Sequence, residues 1–126
     1  MASATVGYQN TTDIVFDMTS DTANASEQFN VVVTRAFVVI GVTVICEKTQ
    51  AGGTVTVGKG ASAITAALAC DTANAVVNAA TLAVANSTFA VGDTLRATIA
   101  TAGSRGTIIV RTAPLALGDA TTVVAV

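Results

Sequence analysis

The sequence predicts a single-domain, all-β protein, an antiparallel β-sandwich or jelly-roll-like fold with an extended N-terminal arm. Two observations predict it. The chain contains 25 Ala, 21 Thr and 19 Val among 126 residues, and the Cβ-branched Thr and Val favour a pleated sheet over a helix. About seven to nine short strand-like stretches are separated by turn residues at near-regular spacing, as in a sandwich. A chain of this length is expected to bury one hydrophobic core.

The first 30 residues differ from the rest of the chain in charge. They contain four acidic residues and no basic one, a net charge of −4, whereas the remaining 96 residues carry +2. We therefore divide the chain into an acidic N-terminal arm, residues 1–30, and a β-sandwich domain, residues 31–126. The acidic residues of the arm are Asp13, Asp17, Asp21 and Glu27.

The arm contains one strand-like piece, residues 12–18, followed by a polar loop at 19–28. It also contains Phe16 and Phe29, two of only four Phe residues in the chain. A solvated tail has no use for two large apolar anchors, so we expect these side chains to contact a partner. The alternative is that the arm packs on its own sandwich as an ordinary edge strand.

The strongest strand signal spans residues 29–47, and its part Phe37–Cys46 is apolar on both faces. A strand with one face in water alternates apolar and polar residues, so both faces of this strand should be covered. A sandwich of this size has one interior, and we expect the second face to contact another subunit or the arm. Because an exposed apolar strand promotes aggregation, the sequence predicts a homo-oligomer.

The middle of the chain contains weaker signals. A turn around Gly52 predicts that residues 54–58 form a hairpin with the preceding strand. Residues 64–70 are expected to form another short strand. Residues 71–85 are expected to be a loop with one or two helical turns, which Asp71 or Thr72 could cap.

The last predicted hairpin joins residues 95–100 to residues 107–112. If Ala100 pairs with Thr107, Arg96 lies directly opposite Arg111, and like charges in that position destabilise a sheet. Two guanidinium groups on one face present forks of donors for a carboxylate. That carboxylate would come from the acidic arm, a neighbouring subunit or a larger assembly. The alternative is that both side chains extend into water.

The residue types exclude several kinds of chemistry. The chain contains no His and only two Cys, so one chain can build neither a nucleophile–histidine pair nor a zinc site. We expect no catalytic residue, no metal and no cofactor, and therefore no enzyme. Cys46 and Cys70 are expected to be buried, reduced thiols.

Charge and hydropathy exclude two classes of partner. The six basic residues are scattered and the net charge is −2, which does not form the basic patch of a nucleic-acid-binding protein. The longest apolar run, residues 36–46, is shorter than the about 20 residues that cross a membrane as a helix. No signal segment is apparent, so we expect synthesis and folding in a cytosol.

Three stretches of the sequence are similar to a known family. They are residues 37–46 (FVVIGVTVIC), 64–70 (ITAALAC), and 89–96 (FAVGDTLR) followed by 103–110 (GSRGTIIV). In this order they resemble small head-decoration (capsid cement) proteins of tailed bacteriophages, over most of residues 35–112. The resemblance implies a trimer that binds the outer surface of the phage capsid and stiffens the lattice of its major capsid protein. It carries over no catalytic residue and assigns no capsid contact.

The resemblance therefore predicts a structural protein of the virion, made in the cytoplasm of the host. The alternative is a head-fibre or tail module that binds a glycan or receptor on the host surface. One Tyr and no Trp provide few aromatic surfaces on which a sugar could stack, which counts against that alternative.

Overall fold

The computed structural model describes residues 11–18, 27–101 and 104–114. These residues form ten strands and a single helical turn. The elements are β1 (Thr12–Asp17), β2 (Glu27–Val32), β3 (Phe37–Cys46), β4 (Thr54–Lys59), β5 (Ser62–Ala63), β6 (Leu68–Ala69), β7 (Val76–Asn78), α1 (Val84–Ser87), β8 (Thr88–Phe89), β9 (Thr94–Ile99) and β10 (Gly106–Pro114).

The strands form two antiparallel sheets. Sheet 1 has the order β1-β10-β3-β7, and β8 pairs with the start of β3. Sheet 2 has the order β2-β9-β4-β5, and β6 pairs with the start of β4. Inward side chains of both sheets share one apolar core, so the predicted all-β antiparallel sandwich is confirmed. The strand order does not confirm a jelly roll.

Two predicted hairpins are wrong. β3 and β4 lie in different sheets, and so do β9 and β10. The connecting segments, residues 47–53 and 100–105, are long enough to cross the roughly 10 Å between packed sheets. Alternation of apolar and polar residues identifies the buried face of a strand but not the strand that pairs with it. Each of these turns therefore joins the two sheets and does not join neighbouring strands.

The core is filled by side chains from both sheets. Its largest fully buried residues include Phe89, Leu95, Ile99 and Ile108. Phe89 also stacks on Phe37, with the ring centroids 5.0 Å apart. Because each such side chain contributes about 1.5–3 kcal/mol when it is fully buried, the core is the main source of stability.

The predicted strand over residues 29–47 is wrong as a single element, because residues 33–36 separate β2 of sheet 2 from β3 of sheet 1. The alternation within β3 is also interrupted. The register with β10 skips one residue between Val39 and Gly41. Ile40 is therefore the extra residue of a β-bulge. As a result Val39 and Val42 are both buried, although strict alternation would place them on opposite faces.

β1 is an edge strand of sheet 1, which confirms the strand predicted at residues 12–18. All six of its residues pair with β10, and the N–H of Met18 donates to the carbonyl oxygen of Gly106 at 2.8 Å. The predicted loop at 19–28 lies mostly outside the described residues, and β2 begins at Glu27. The division of the chain at residue 30 stays a prediction, although β2 extends across it.

The segment between β4 and β9 contains only short elements. Within residues 64–70 the only strand is β6, and residues 71–85 contain β7 and the first two residues of α1. α1 begins only at Val84, has no side-chain cap at Ala83 and ends after one turn. The predicted helix cap at Asp71 or Thr72 is therefore wrong, and the sequence did not predict β7. Among the described residues, no helix has the length and apolar character needed to cross a membrane.

Candidate interaction surfaces

The outer face of sheet 1, which we call the sheet 1 face, carries exposed apolar side chains. Outward residues on neighbouring strands lie side by side and contact one another, so they form a continuous surface. Two cross-strand rows on this face are Val15–Ile109–Thr43–Asn78 and Asp17–Thr107–Ile45–Val76. The exposed fractions of its apolar side chains are 55% for Val15, 47% for Ile40, 39% for Ile45 and 59% for Val76.

A recess of about 390 Å³ lies in the sheet 1 face. Ile40, Ile109 and Arg111 border it, and Gly41 leaves it open because glycine has no side chain. A Cβ atom at position 41 would be 3.8 Å from Cβ of Arg111, which is ordinary van der Waals contact. Packing within the chain therefore does not require glycine here, and a side chain of a partner could fill the recess.

Arg111 lies on the sheet 1 face directly opposite Asp13 of β1. Its Nε donates to Oδ1 of Asp13 at 3.4 Å. Both side chains are exposed, with 60% of Arg111 and 43% of Asp13 accessible, so we expect the pair to contribute no more than about 1 kcal/mol. A carboxylate from the first 30 residues therefore pairs with Arg111 within the chain.

Arg96 lies on the outer face of sheet 2 and not opposite Arg111. β9 is an inner strand of that sheet, and Arg96 lies between Asn30 of β2 and Gly58 of β4. Its Nε donates to Oδ1 of Asn30 at 2.8 Å. The predicted pair of like charges is wrong because β9 and β10 belong to different sheets.

Phe16 and Phe29 enter the core from opposite sheets. Phe16 on β1 is only 6% exposed, and Phe29 on β2 is half-buried and packs against the core. A partner could contact Phe16 only if β1 left sheet 1. The role of both residues in partner contacts stays a prediction.

Cys46 and Cys70 are buried and free, as predicted. Their thiols donate to backbone carbonyls, Cys46 Sγ to Ala69 at 3.6 Å and Cys70 Sγ to Arg105 at 3.7 Å. Burial, with a hydrogen bond to the Cys46 thiol as a second cause, raises the pKa of Cys70 to about 12. Cys70 is therefore a protonated thiol near neutral pH and a poor nucleophile.

Sequence patterns missed Asn30 as the residue that holds Arg96, and they named the acidic arm, but not Asp13 in particular, as a source of a carboxylate for the arginines. Both contacts depend on which strands are neighbours, β2 beside β9 and β1 beside β10. No local signal identifies such pairings. Within the part of the chain that the structure describes, no three His, Cys, Asp or Glu side chains lie together as they would to hold a metal ion.

No family model, curated protein or solved structure matches this chain.

Proposed function

We propose that this protein is a structural component of a phage virion, an oligomer that binds the outside of the head as a decoration protein. The observation that supports this proposal most is the sheet 1 face, with Val15, Ile40, Ile45 and Val76 exposed on it. The proposal includes a homotrimer, the major capsid protein as partner and the outer capsid surface as location. It includes no catalytic activity.

Burying the sheet 1 face against another protein is expected to be favourable in free energy. Burying apolar surface contributes about 25 cal/mol per Å², whereas burying an unpaired charge is costly. The charged residues that project from β1 and β10 on this face are Asp13, Asp17 and Arg111, and Asp13 pairs with Arg111. A partner would therefore cover apolar groups without leaving Arg111 or Asp13 unpaired.

The edge of sheet 1 adds a second means of association. Among the described strands, β1 pairs only with β10, so its other edge has no neighbour. An unpaired edge can take up a strand of another chain. Because Val15 projects from this same strand, a subunit that paired with β1 would also contact the sheet 1 face.

The resemblance to head-decoration proteins concerns the framework of the fold. Its stretches contain β3, β6, β9 in part, and most of β10, which supply much of the buried core. The resemblance thus supports the class of protein, while the residues proposed for contact come from the geometry of the sheets.

Co-sedimentation with phage heads tests the proposed function. Purified protein is mixed with emptied heads of the cognate major capsid protein and pelleted, and the temperature at which the heads disassemble is recorded with and without it. We expect saturable binding and a higher disassembly temperature. Absence of binding to heads, together with binding to host-surface glycans on an array, would contradict the proposal in favour of a fibre or tail module.

A further inference from the structure

The outer face of sheet 2 contains a second recess, with a lining unlike that of the sheet 1 face. Its volume is about 250 Å³. Apart from one guanidinium group, the lining is neutral and made of small or polar residues, among them Gln28, Thr56, Gly58, Ala63, Arg96 and Thr98. The recess therefore presents a single positive charge among neutral hydrogen-bonding groups.

The guanidinium of Arg96 is held in place at this recess. The strand that bears it is paired on both sides, and its Nε is engaged by Oδ1 of Asn30 at 2.8 Å. This contact uses one donor and leaves the two terminal nitrogens for another acceptor. Gly58, directly opposite on β4, has no side chain, and a Cβ there would lie 2.5 Å from the carbonyl oxygen of Ser62. The backbone of β5 therefore occupies the space where a side chain of residue 58 would lie, and no side chain projects from β4 directly beside Arg96.

Arg96 takes part in no ion pair among the described residues. By contrast Lys59, Arg105 and Arg111 each lie within 3.9 Å of a carboxylate, those of Asp93, Glu47 and Asp13 respectively. A positioned guanidinium with two free nitrogens matches the two oxygens of a carboxylate. Three of the eight acidic residues of the chain thus already have cations, and no carboxylate of the described residues pairs with Arg96.

We propose that the Arg96 recess is a carboxylate-binding site that takes an Asp or Glu side chain of a partner protein. One positive charge matches one carboxylate, whereas a nucleic-acid backbone would require several basic groups. The hydroxyls of Thr56 and Thr98 and the amide of Gln28 supply further donors at the rim. This site lies on sheet 2 and is separate from the sheet 1 face. The identification of the partner as a capsid protein rests on the proposed function.

The test is an NMR titration of the ¹⁵N-labelled protein with a capped tetraglutamate peptide. The Nε–Hε signal of Arg96 and the amide signals of Gln28 and Thr98 should shift and saturate, with a dissociation constant on the order of 10 mM. Arg96→Lys keeps the charge but removes the fork, and should weaken binding at least about fivefold. Arg35→Lys, at an exposed arginine between β2 and β3 that borders neither recess, is the matched control and should bind the peptide like the wild type.

Three outcomes would overturn the proposal: no shift at the highest peptide concentration, equal binding by a folded Arg96→Lys variant, or an equal effect of inorganic phosphate. The last would show a site for small anions in general. Because this titration uses no phage heads, its failure is distinguishable from a failure of the proposed function, which head binding by the wild-type protein tests.

Discussion

Arg111 of β10 and Asp13 of β1 face each other on neighbouring strands, with Nε of the arginine 3.4 Å from Oδ1 of the aspartate. The contact joins positions 98 residues apart, yet both side chains are exposed to water and salt. We predict that Asp13→Asn lowers the free energy of unfolding by less than about 1 kcal/mol, as measured by denaturant titration. A loss of more than about 2 kcal/mol would show that this pair stabilises β1 much more than its exposure implies.

Phe16 should contribute far more to the free energy of unfolding than its neighbour Val15. Phe16 points into the core and Val15 points out of the sheet. Phe16→Ala removes a buried ring and leaves a cavity, which is expected to cost about 3–5 kcal/mol. Val15→Ala is the matched control and should cost less than about 1 kcal/mol. Similar losses for the two variants in urea unfolding would mean that β1 does not pack as an ordinary strand of the sandwich.

Replacement by alanine should lower the stability of the protein at Gly53 but not at Gly41. A Cβ at Gly53 would lie 2.2 Å from the carbonyl oxygen of Cys70, a backbone atom that cannot easily move. We predict that Gly53→Ala destabilises the protein by about 1–3 kcal/mol or more. Gly41→Ala has room and should be neutral or stabilising by about 0.4–1 kcal/mol. Thermal unfolding measures both, and a neutral Gly53→Ala would contradict the close contact.

Stability should fall at alkaline pH because of Cys70. The ordinary thiol pKa is 9.0, whereas burial raises the pKa of Cys70 to about 12 in the folded protein. Between these values the unfolded chain loses a proton that the folded chain keeps, so stability that is complete below pH 9 is lost as the pH rises towards 12. The slope is at most about 1.4 kcal/mol per pH unit.

The variant Cys70→Ala isolates this effect. Its deficit in unfolding free energy relative to the wild type should shrink as the pH is raised from neutral to about 10. Val44→Ala, a truncation of similar size in the same core, should show a deficit that does not change with pH. A constant deficit for Cys70→Ala would contradict the raised pKa.

The sequence was sufficient to predict the fold class and the apolar segment that forms β3, but neither the break between β2 and β3 nor the pairing of strands. β3 is recognisable because ten consecutive residues favour a sheet, and no long-range information is needed for that. Gly52 looks like a hairpin turn, yet its loop crosses to the other sheet, because inter-sheet packing decides the partner of β4. The Arg96 recess depends on Asn30, which is 66 residues away along the chain. Such a contact follows from the sheet order and from no local pattern.

The bulge at Ile40 was equally beyond the sequence patterns. In a strand that is apolar on both faces, the sequence does not show which residue is the extra one of a bulge. Wherever the bulge is placed, both faces remain apolar. The bulge places Ile40 and Gly41 on the outer face together. Because of the bulge, Ile40 borders the recess in the sheet 1 face, and Gly41 leaves the recess open.

Sedimentation velocity on three proteins tests the central claim, that the protein assembles through the sheet 1 face. They are the wild type, Ile45→Lys on that face, and Val32→Lys on the outer face of sheet 2 as the matched control. Both substitutions replace side chains that are already partly exposed, so each variant should fold, which circular dichroism checks. We predict a trimer for the wild type and for Val32→Lys, and a folded monomer for Ile45→Lys. A wild-type protein that is monomeric at micromolar concentration, or an Ile45→Lys variant that remains a trimer, would contradict the account.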